Sequence, residues 1–457
     1  MKRLSYIIFA FVAVILTFSS CKVGKAYVRP EITLPDSIAA CTDSISFADR
    51  HWKQVYKDSA LMSLIDTALA YNSDINAAAA RVEELAYRAR ISTSKMLPGF
   101  SGKVGDEYER ENYGGDNLNA KNTFDVKLLL SWELDLWGNL RWARTADKAK
   151  YLASVEGTRA LQMTIVSEVA MAYYKLVALD TELDIVRQTL KAREEGVHLA
   201  KVRFEGGMTS ETAYRQALVE HARTATLVPD LERKIAIQEN EIAFLAGRFP
   251  SPVERSAGRD SLFLPDEIST GFPSSLLERR PDIRRAEQNL IAANARVGVA
   301  FTDMFPRISL KAGAGVETID MRAIFRSPHE IITGTLLAPI FNWGQLRYTW
   351  KAEKKAYEAQ VYDYNKVILN AFREVDNALV NYDKIRDIYR LRSAHAESAH
   401  SYLQLAEIQY LNGVISYMDV LDAQRSYFDA QIALSNAIRD QLLVVVDLYK
   451  ALGGGWQ

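Results

Sequence analysis

The chain has 457 residues, a formal net charge of −1 and 25% charged residues. A charge this close to zero gives no support for nucleic-acid binding or for strong electrostatic steering of a ligand. Its only cysteines, Cys21 and Cys41, exclude an internal framework of several disulfides.

The amino end has the pattern of an export signal. Two basic residues are followed by a short apolar run over 6–18 and by small residues just before Cys21. This pattern predicts a signal peptide over 1–20, and its apolar run is too short to span a membrane comfortably. A cysteine at this position resembles the lipidation site of a bacterial lipoprotein, which makes Cys21 the first residue of the mature chain. An ordinary signal peptide with an incidental cysteine is the alternative.

The next stretches predict an extended segment over 21–50, helices from Trp52 and then strands. Residues 124–136 alternate strictly, with apolar side chains on one face and mostly polar ones on the other. Such alternation is typical of a β-strand with one apolar face. We expect a strand pair at about 99–137 and a second pair at about 305–343, whose last strand covers about 331–341.

Each strand pair is followed by a very long helical stretch. Residues 345–412 contain neither glycine nor proline, and 139–205 contain no proline and only Gly157 and Gly196. A helix of this size is about 100 Å long and must pack beside others like it. We predict long helices over 139–247 and 345–452, each folding back at a turn. Gly207 and Gly413 suit the end of the outgoing helix, and Ser210 and Ser416 suit the start of the returning one.

These two halves are copies of one plan. The segment Trp-Gly-Asn-Leu-Arg at 137–141 returns as Trp-Gly-Gln-Leu-Arg at 343–347, and Gly207 returns as Gly413 at the same offset. A repeat this long is too large for a solenoid unit. We therefore divide the mature chain into a first repeat over 51–250 and a second over 251–457.

Four strands with an apolar face cannot stand alone in a bilayer, because their open edges leave backbone groups unpaired. Closed membrane barrels begin at about eight strands, so identical chains must pool theirs. The residues do not choose between dimer, trimer and tetramer. The fold class expected is a membrane β-barrel extended by an α-helical barrel. A soluble sheet packed on a core is the alternative.

At this point the chain strongly resembles the outer-membrane efflux channels of the TolC family, in particular the lipoprotein branch that serves resistance-nodulation-division pumps. The matching residues cover nearly the whole mature chain. They are Cys21-Lys22-Val23-Gly24 with Tyr27 and Pro30, Trp52 with Asp58 and Leu61, Asn72-Ser73-Asp74-Ile75, and the runs 279–284, 292–300, 305–306 and 417–425.

The resemblance implies a homotrimer with a 12-stranded barrel in the outer membrane and a long periplasmic extension. It implies a passive exit duct, with no catalysis and no cofactor apart from the lipid on Cys21. A periplasmic membrane-fusion adaptor and an inner-membrane pump are the implied partners, and they supply selection and energy.

The resemblance also carries two sets of site residues. It places a channel gate at Met418, Asp419, Asp422 and Arg425, whereas a capping box at Asp419 and a helix-surface pair between Asp422 and Arg425 are the simpler interpretations. The hairpin turns match segments that contact the adaptor. These docking residues are Gly206, Gly207, Met208, Thr209, Ser210, Asn412, Gly413, Val414 and Ser416.

Two rival classes remain. The support for an enzyme is limited to weak motifs. His395 and His400 are five residues apart on a predicted helix and cannot share a metal as an i, i+4 pair does. Ser92-x-x-Lys95 lacks its companion Lys-Thr-Gly motif. A passive helical spacer would need no strands with an apolar face. The sequence leaves the cargo open: drugs, metal ions or a secreted product.

Overall fold

A computed structural model describes residues 22–31, 47–111, 119–256 and 273–456. The predicted signal peptide, Cys21 and Cys41 lie outside these residues. The chain forms two compact units. Unit 1 draws on 1–32, 80–156 and 285–366, and unit 2 on 33–79, 157–284 and 367–457, so each unit takes segments from both halves of the chain.

The helices and strands follow the order expected from the two repeats. The first half contains α1 (Trp52–Val55), α2 (Ser59–Tyr71), α3 (Ser73–Ser94), β1 (Gly99–Glu111), β2 (Asn119–Leu134), α4 (Asn139–Glu205), α5 (Glu211–Ala225) and α6 (Leu227–Leu245). The second contains α7 (Pro273–Arg279), α8 (Pro281–Thr302), β3 (Arg307–Thr318), β4 (Pro328–Leu337), α9 (Gln345–Leu411) and α10 (Tyr417–Ala451). None of the helices in the described ranges is both long enough and apolar enough to cross a lipid bilayer.

Unit 1 is built around one antiparallel sheet with the strand order β1-β2-β3-β4. The predicted alternation in β2 is confirmed. Val126 and Leu128 on the apolar face are 44% and 60% exposed, whereas Asp125 on the opposite face is buried. Asp125 receives an ion pair from Lys103 of β1 at 3.2 Å. Charges thus pair on one face, and the other face is left apolar and exposed.

The last strand lies earlier in the chain than expected. We predicted about 331–341, but β4 begins at Pro328 and ends at Leu337. Pro339 explains the early end, because proline has no N–H for the ladder and restricts the residue before it.

The two very long helices are present, with 67 residues in α4 and 67 in α9. Their returning partners differ. In the second half α10 runs unbroken for 35 residues, whereas in the first half the expected single return splits into α5 and α6 at Thr226. Pro229 lies in the first turn of α6. Proline has no N–H to donate and is tolerated in the first turn of a helix but not in its interior, so a new helix begins here.

The extended segment 22–31 is fastened to unit 1. The Val23 amide donates to the Trp137 carbonyl at 3.1 Å, and Trp142 Nε1 donates to the Val23 carbonyl at 2.7 Å. Lys22 Nζ lies 3.3 Å from the centre of the Trp142 ring. The start of the segment is therefore held beside the junction of β2 and α4.

Candidate gate and hairpin tips

The two hairpin tips end their outgoing helices in the same way. Gly207 and Gly413 both have φ of +73°, which is the left-handed conformation that favours glycine. At the first tip the Gly207 amide donates to the Phe204 carbonyl at 2.9 Å, and the Met208 amide to the Arg203 carbonyl at 2.8 Å. The second tip repeats both bonds at 3.0 and 2.9 Å. This is a Schellman cap, and it confirms the predicted role of both glycines in ending helices.

The returning helices start differently. Asp419 accepts hydrogen bonds from the backbone amide of Ser416 at 2.9 Å and from its hydroxyl at 2.7 Å. Those bonds hold the pKa of the Asp419 carboxyl below its usual value. Ser210 makes no side-chain cap bond, and the residue three positions later is Ala213, which has no group to offer. The simpler interpretation of Asp419, a capping box, is thus present in the structure.

An apolar cluster joins the two tips. Its buried members are Ala200, Ala217, Tyr410, Tyr417, Val420 and Leu421. Gly196 of α4 permits this packing, because a Cβ there would lie 2.9 Å from the Tyr417 hydroxyl. Burial raises the pKa of Tyr417 to about 12. The docking residues at the tips, apart from the half-buried Thr209, are exposed turn residues above this packed cluster. A Cβ at Gly207 or Gly413 would meet nothing within 4 Å.

The predicted gate residues lie along the first turns of α10. Met418 is 45% exposed and Asp422 is exposed. Arg425 does not make its ion pair with Asp422, as the simpler interpretation had it, but with Glu220 of α5. The charge of Asp422 still contributes to raising the pKa of Arg425, after the larger effect of the Glu220 hydrogen bond.

Glu220 is a buried carboxylate between two guanidinium groups. Its other oxygen accepts from Arg193 of α4 at 2.7 Å, and both of these side chains are almost fully buried. Burial alone would raise the pKa of Glu220, but the Arg425 hydrogen bond and the surrounding arginine charges outweigh it and lower that pKa. This ion network fixes Arg425 of the second hairpin to the first hairpin.

Sequence reasoning missed Glu220 and Arg193. The available signal was the spacing of Ala217, Glu220 and Thr224, all buried on one face of α5. A charged residue at a position of an apolar helix seam requires a partner, because an unpaired buried charge is strongly disfavoured.

Ser92 and His400, which belong to the motifs considered for an enzyme, make other contacts in the structure. The Ser92 hydroxyl donates to Asp147, and His400 lies against Tyr427 with ring centres 4.8 Å apart. Among the described residues no group of three or more histidine, cysteine or acidic side chains is arranged to hold a metal ion.

Comparison with known proteins identifies the family to which this chain belongs. The family described as outer membrane efflux protein matches residues 64–248 and 272–454. The chain belongs to the outer membrane efflux protein family. Its relatives are outer-membrane channel proteins, not enzymes.

Individual members are similar over almost their full length. Outer membrane protein OprJ of Pseudomonas aeruginosa is 33% identical over 96% of this chain and 94% of its own. Toluene efflux pump outer membrane protein TtgF of Pseudomonas putida is 34% identical over 90% of this chain and 86% of its own. The solved outer-membrane channel OprN superposes with a TM-score of 0.89 at 27% identity, covering 95% of this chain and 100% of that one. This chain therefore shares the fold of these outer-membrane efflux channels, a membrane β-barrel extended by an α-helical barrel.

Proposed function

We propose that this chain is the outer-membrane exit duct of a tripartite efflux system, assembled as a homotrimer and conducting organic small molecules passively. The observation that carries the proposal is the four-stranded sheet, whose edge strands β1 and β4 each have one neighbour in the chain and whose apolar face is exposed. Three such sheets give a closed twelve-stranded wall, within the size range of membrane barrels. The cargo class is supported by the similarity to TtgF, a toluene efflux protein by name.

The partners proposed are a periplasmic membrane-fusion adaptor and an inner-membrane pump of the resistance-nodulation-division class. The adaptor contacts the hairpin tips, at Gly206–Ser210 and at Asn412–Ser416. Two features support this assignment: the tips are exposed at Met208 and Val414, and each is held rigid by its Schellman cap. A preformed turn needs little ordering when a partner binds.

The gate proposed consists of Met418, Asp419, Asp422 and Arg425. Asp422 supplies exposed negative charge, and threefold symmetry would repeat it around a narrow ring that attracts cations. Arg425 is held in position by Glu220. The first repeat has Ala213, Gln216 and Val219 where the second has Asp419, Asp422 and Arg425. Only the second hairpin therefore supplies charges at these positions.

The anchor proposed is a lipid on Cys21. Support comes from its neighbour Lys22, which lies against Trp142 at the junction between β2 and α4. The residue that follows Cys21 is therefore held close to the strands that are proposed to enter the membrane. Mass spectrometry of the mature protein tests this assignment, and an amino terminus without acyl chains would contradict it.

Single-channel recording in planar bilayers tests the duct and its gate together. The purified protein should conduct ions, and Asp422→Ala should raise the single-channel conductance by removing charge from the proposed gate. Asp440→Ala is the control, since Asp440 is on the same helix but paired with Arg439. Absence of any conductance would refute the duct; equal conductance of Asp422→Ala and the parent protein would remove Asp422 from the gate.

A further inference from the structure

Unit 2 contains a cavity of about 470 Å³ that is lined by four arginines from four helices. They are Arg193 of α4, Arg223 of α5, Arg392 of α9 and Arg425 of α10. Two acids, Glu182 and Asp429, also line it. No ion pair in the described part of the chain joins either acid to these guanidinium groups, so positive charge predominates at the wall of the cavity.

Two of the arginines are fixed but not saturated. Arg193 and Arg425 share the carboxylate of Glu220, which offers one negative charge to two positive ones. Each retains a buried Nε–H that has no acceptor among the described residues. Because both Nε atoms are closed off from solvent, an oxyanion in the cavity would contact the terminal guanidinium nitrogens that Glu220 leaves unused.

The other two arginines are exposed and can reach a ligand. Arg392 donates to the Ala433 carbonyl at 2.9 Å, which leaves most of its donors unused. Arg223 makes no side-chain hydrogen bond or ion pair with the described residues. Guanidinium groups present paired N–H donors that match phosphate and carboxylate oxygens, and several together favour an anion with more than one charge.

We propose that this arginine cavity binds a small multivalent oxyanion, of the phosphate or polycarboxylate class. Arg193 and Arg425 would form its fixed floor, and Arg223 and Arg392 would close on the ligand from α5 and α9. The volume is ample for such an anion, since one water molecule occupies about 30 Å³ of the liquid. The bound anion would tie the first hairpin to the second through Arg223 and Arg392.

Calorimetric titration of the purified full chain in detergent tests the site. Pyrophosphate and citrate serve as separate probes in a chloride buffer of constant ionic strength, so that the two oxyanion sources are distinguished. We expect saturable binding of at least one of them, with one site per chain. No saturable heat with either anion would overturn the proposal.

The double variant Arg223→Ala/Arg392→Ala should weaken that binding by about tenfold or more, because it removes two charged contacts. Its thermal unfolding without anion should change little, since both side chains are exposed, neither forms an ion pair with Glu220, and only the one hydrogen bond from Arg392 to the Ala433 carbonyl is lost. Arg390→Ala is the matched control, being on the same helix as Arg392 but 77% exposed and paired with Asp387. Equal affinity of the double variant and the control would refute the assignment. Binding is measured without conductance, so its outcome is independent of the duct proposal.

Discussion

At the scale of single residues, Gly298 shows why a glycine is placed inside a helix. A Cβ at this position of α8 would lie 2.4 Å from a ring carbon of Trp142. The indole has no room to retreat, because it is 3% exposed and its Nε1 is bonded to Val23. Helix propensity alone favours alanine by about 1 kcal/mol, but overpacking a core costs about 1–3 kcal/mol.

We therefore expect Gly298→Ala to lower the melting temperature of the protein, measured by circular dichroism, and to loosen segment 22–31 toward protease. The control is Gly102→Ala, where a Cβ meets nothing within 4 Å. A melting temperature for Gly298→Ala at or above that of the parent protein would show that Trp142 can move aside.

A second prediction at this scale concerns Glu220 and the pH dependence of the free energy of unfolding. Its pKa is lower in the folded chain than the ordinary glutamate value of about 4.3. A carboxyl with a lowered folded-state pKa stabilises fully above that ordinary value and loses its contribution as the pH falls through the folded-state pKa. Glu220→Gln should therefore lower the free energy of unfolding by about 2 kcal/mol at neutral pH, the size of a hydrogen bond to a charged group.

This loss should shrink when chemical denaturation is repeated below about pH 4, where the parent protein loses the same charge. Glu232→Gln is the control, because Glu232 pairs with Arg187 on an exposed surface and should have little effect. A difference that stays constant from pH 7 to pH 3 would mean that the charge of Glu220 does not contribute. The identity of its partners was not readable from the sequence, since Arg193 and Arg425 are 27 and 205 residues away.

At the scale of elements, the hairpin tips separate a capping role from a docking role. Gly413→Val forces a β-branched residue into the left-handed conformation, and that costs about 1–2 kcal/mol. Gly413→Asn keeps this conformation at little cost but adds an exposed polar side chain. If the tip contacts the adaptor, both variants should lower drug resistance in cells, and the asparagine variant should keep its melting temperature and trimer yield. Normal resistance for asparagine, with loss only for valine, would leave the glycine as a helix cap alone.

Elements were predictable wherever a local pattern determines them. The alternation of side chains in β2 predicted which of its faces is exposed. The absence of glycine and proline predicted the bounds of α9 to within one residue. The misplaced end of β4 and the break between α5 and α6 both trace to single prolines, Pro339 and Pro229, whose effect on neighbouring residues was visible in the sequence but not used. What no local pattern carries is pairing across distance, such as the ladder between β2 and β3 or the Glu220 network.

At the scale of the whole molecule, the open sheet edges determine the assembly. In a bilayer, β1 and β4 need partners for their outer backbone groups, and head-to-tail closure pairs β1 of one copy with β4 of the next. Within one chain these strands are three positions apart in the sheet. At about 4.8 Å per strand this separation is about 14 Å, well beyond the Cα distance of about 7 Å that a disulfide tolerates.

A disulfide between the edges can therefore form only between copies. In a Cys41→Ser background, Ser101→Cys on β1 should be combined in turn with His329→Cys, Thr333→Cys and Thr335→Cys, which lie on the same face of the sheet on β4, because the stagger of a closed barrel is not set by one chain. At least one pair should give a non-reducing ladder of one, two and three chains that ends at three. The control is Ser101→Cys alone, which should give no ladder. A ladder ending at two or four chains would contradict the trimer, and the absence of linkage from every pair would contradict closure through β1 and β4.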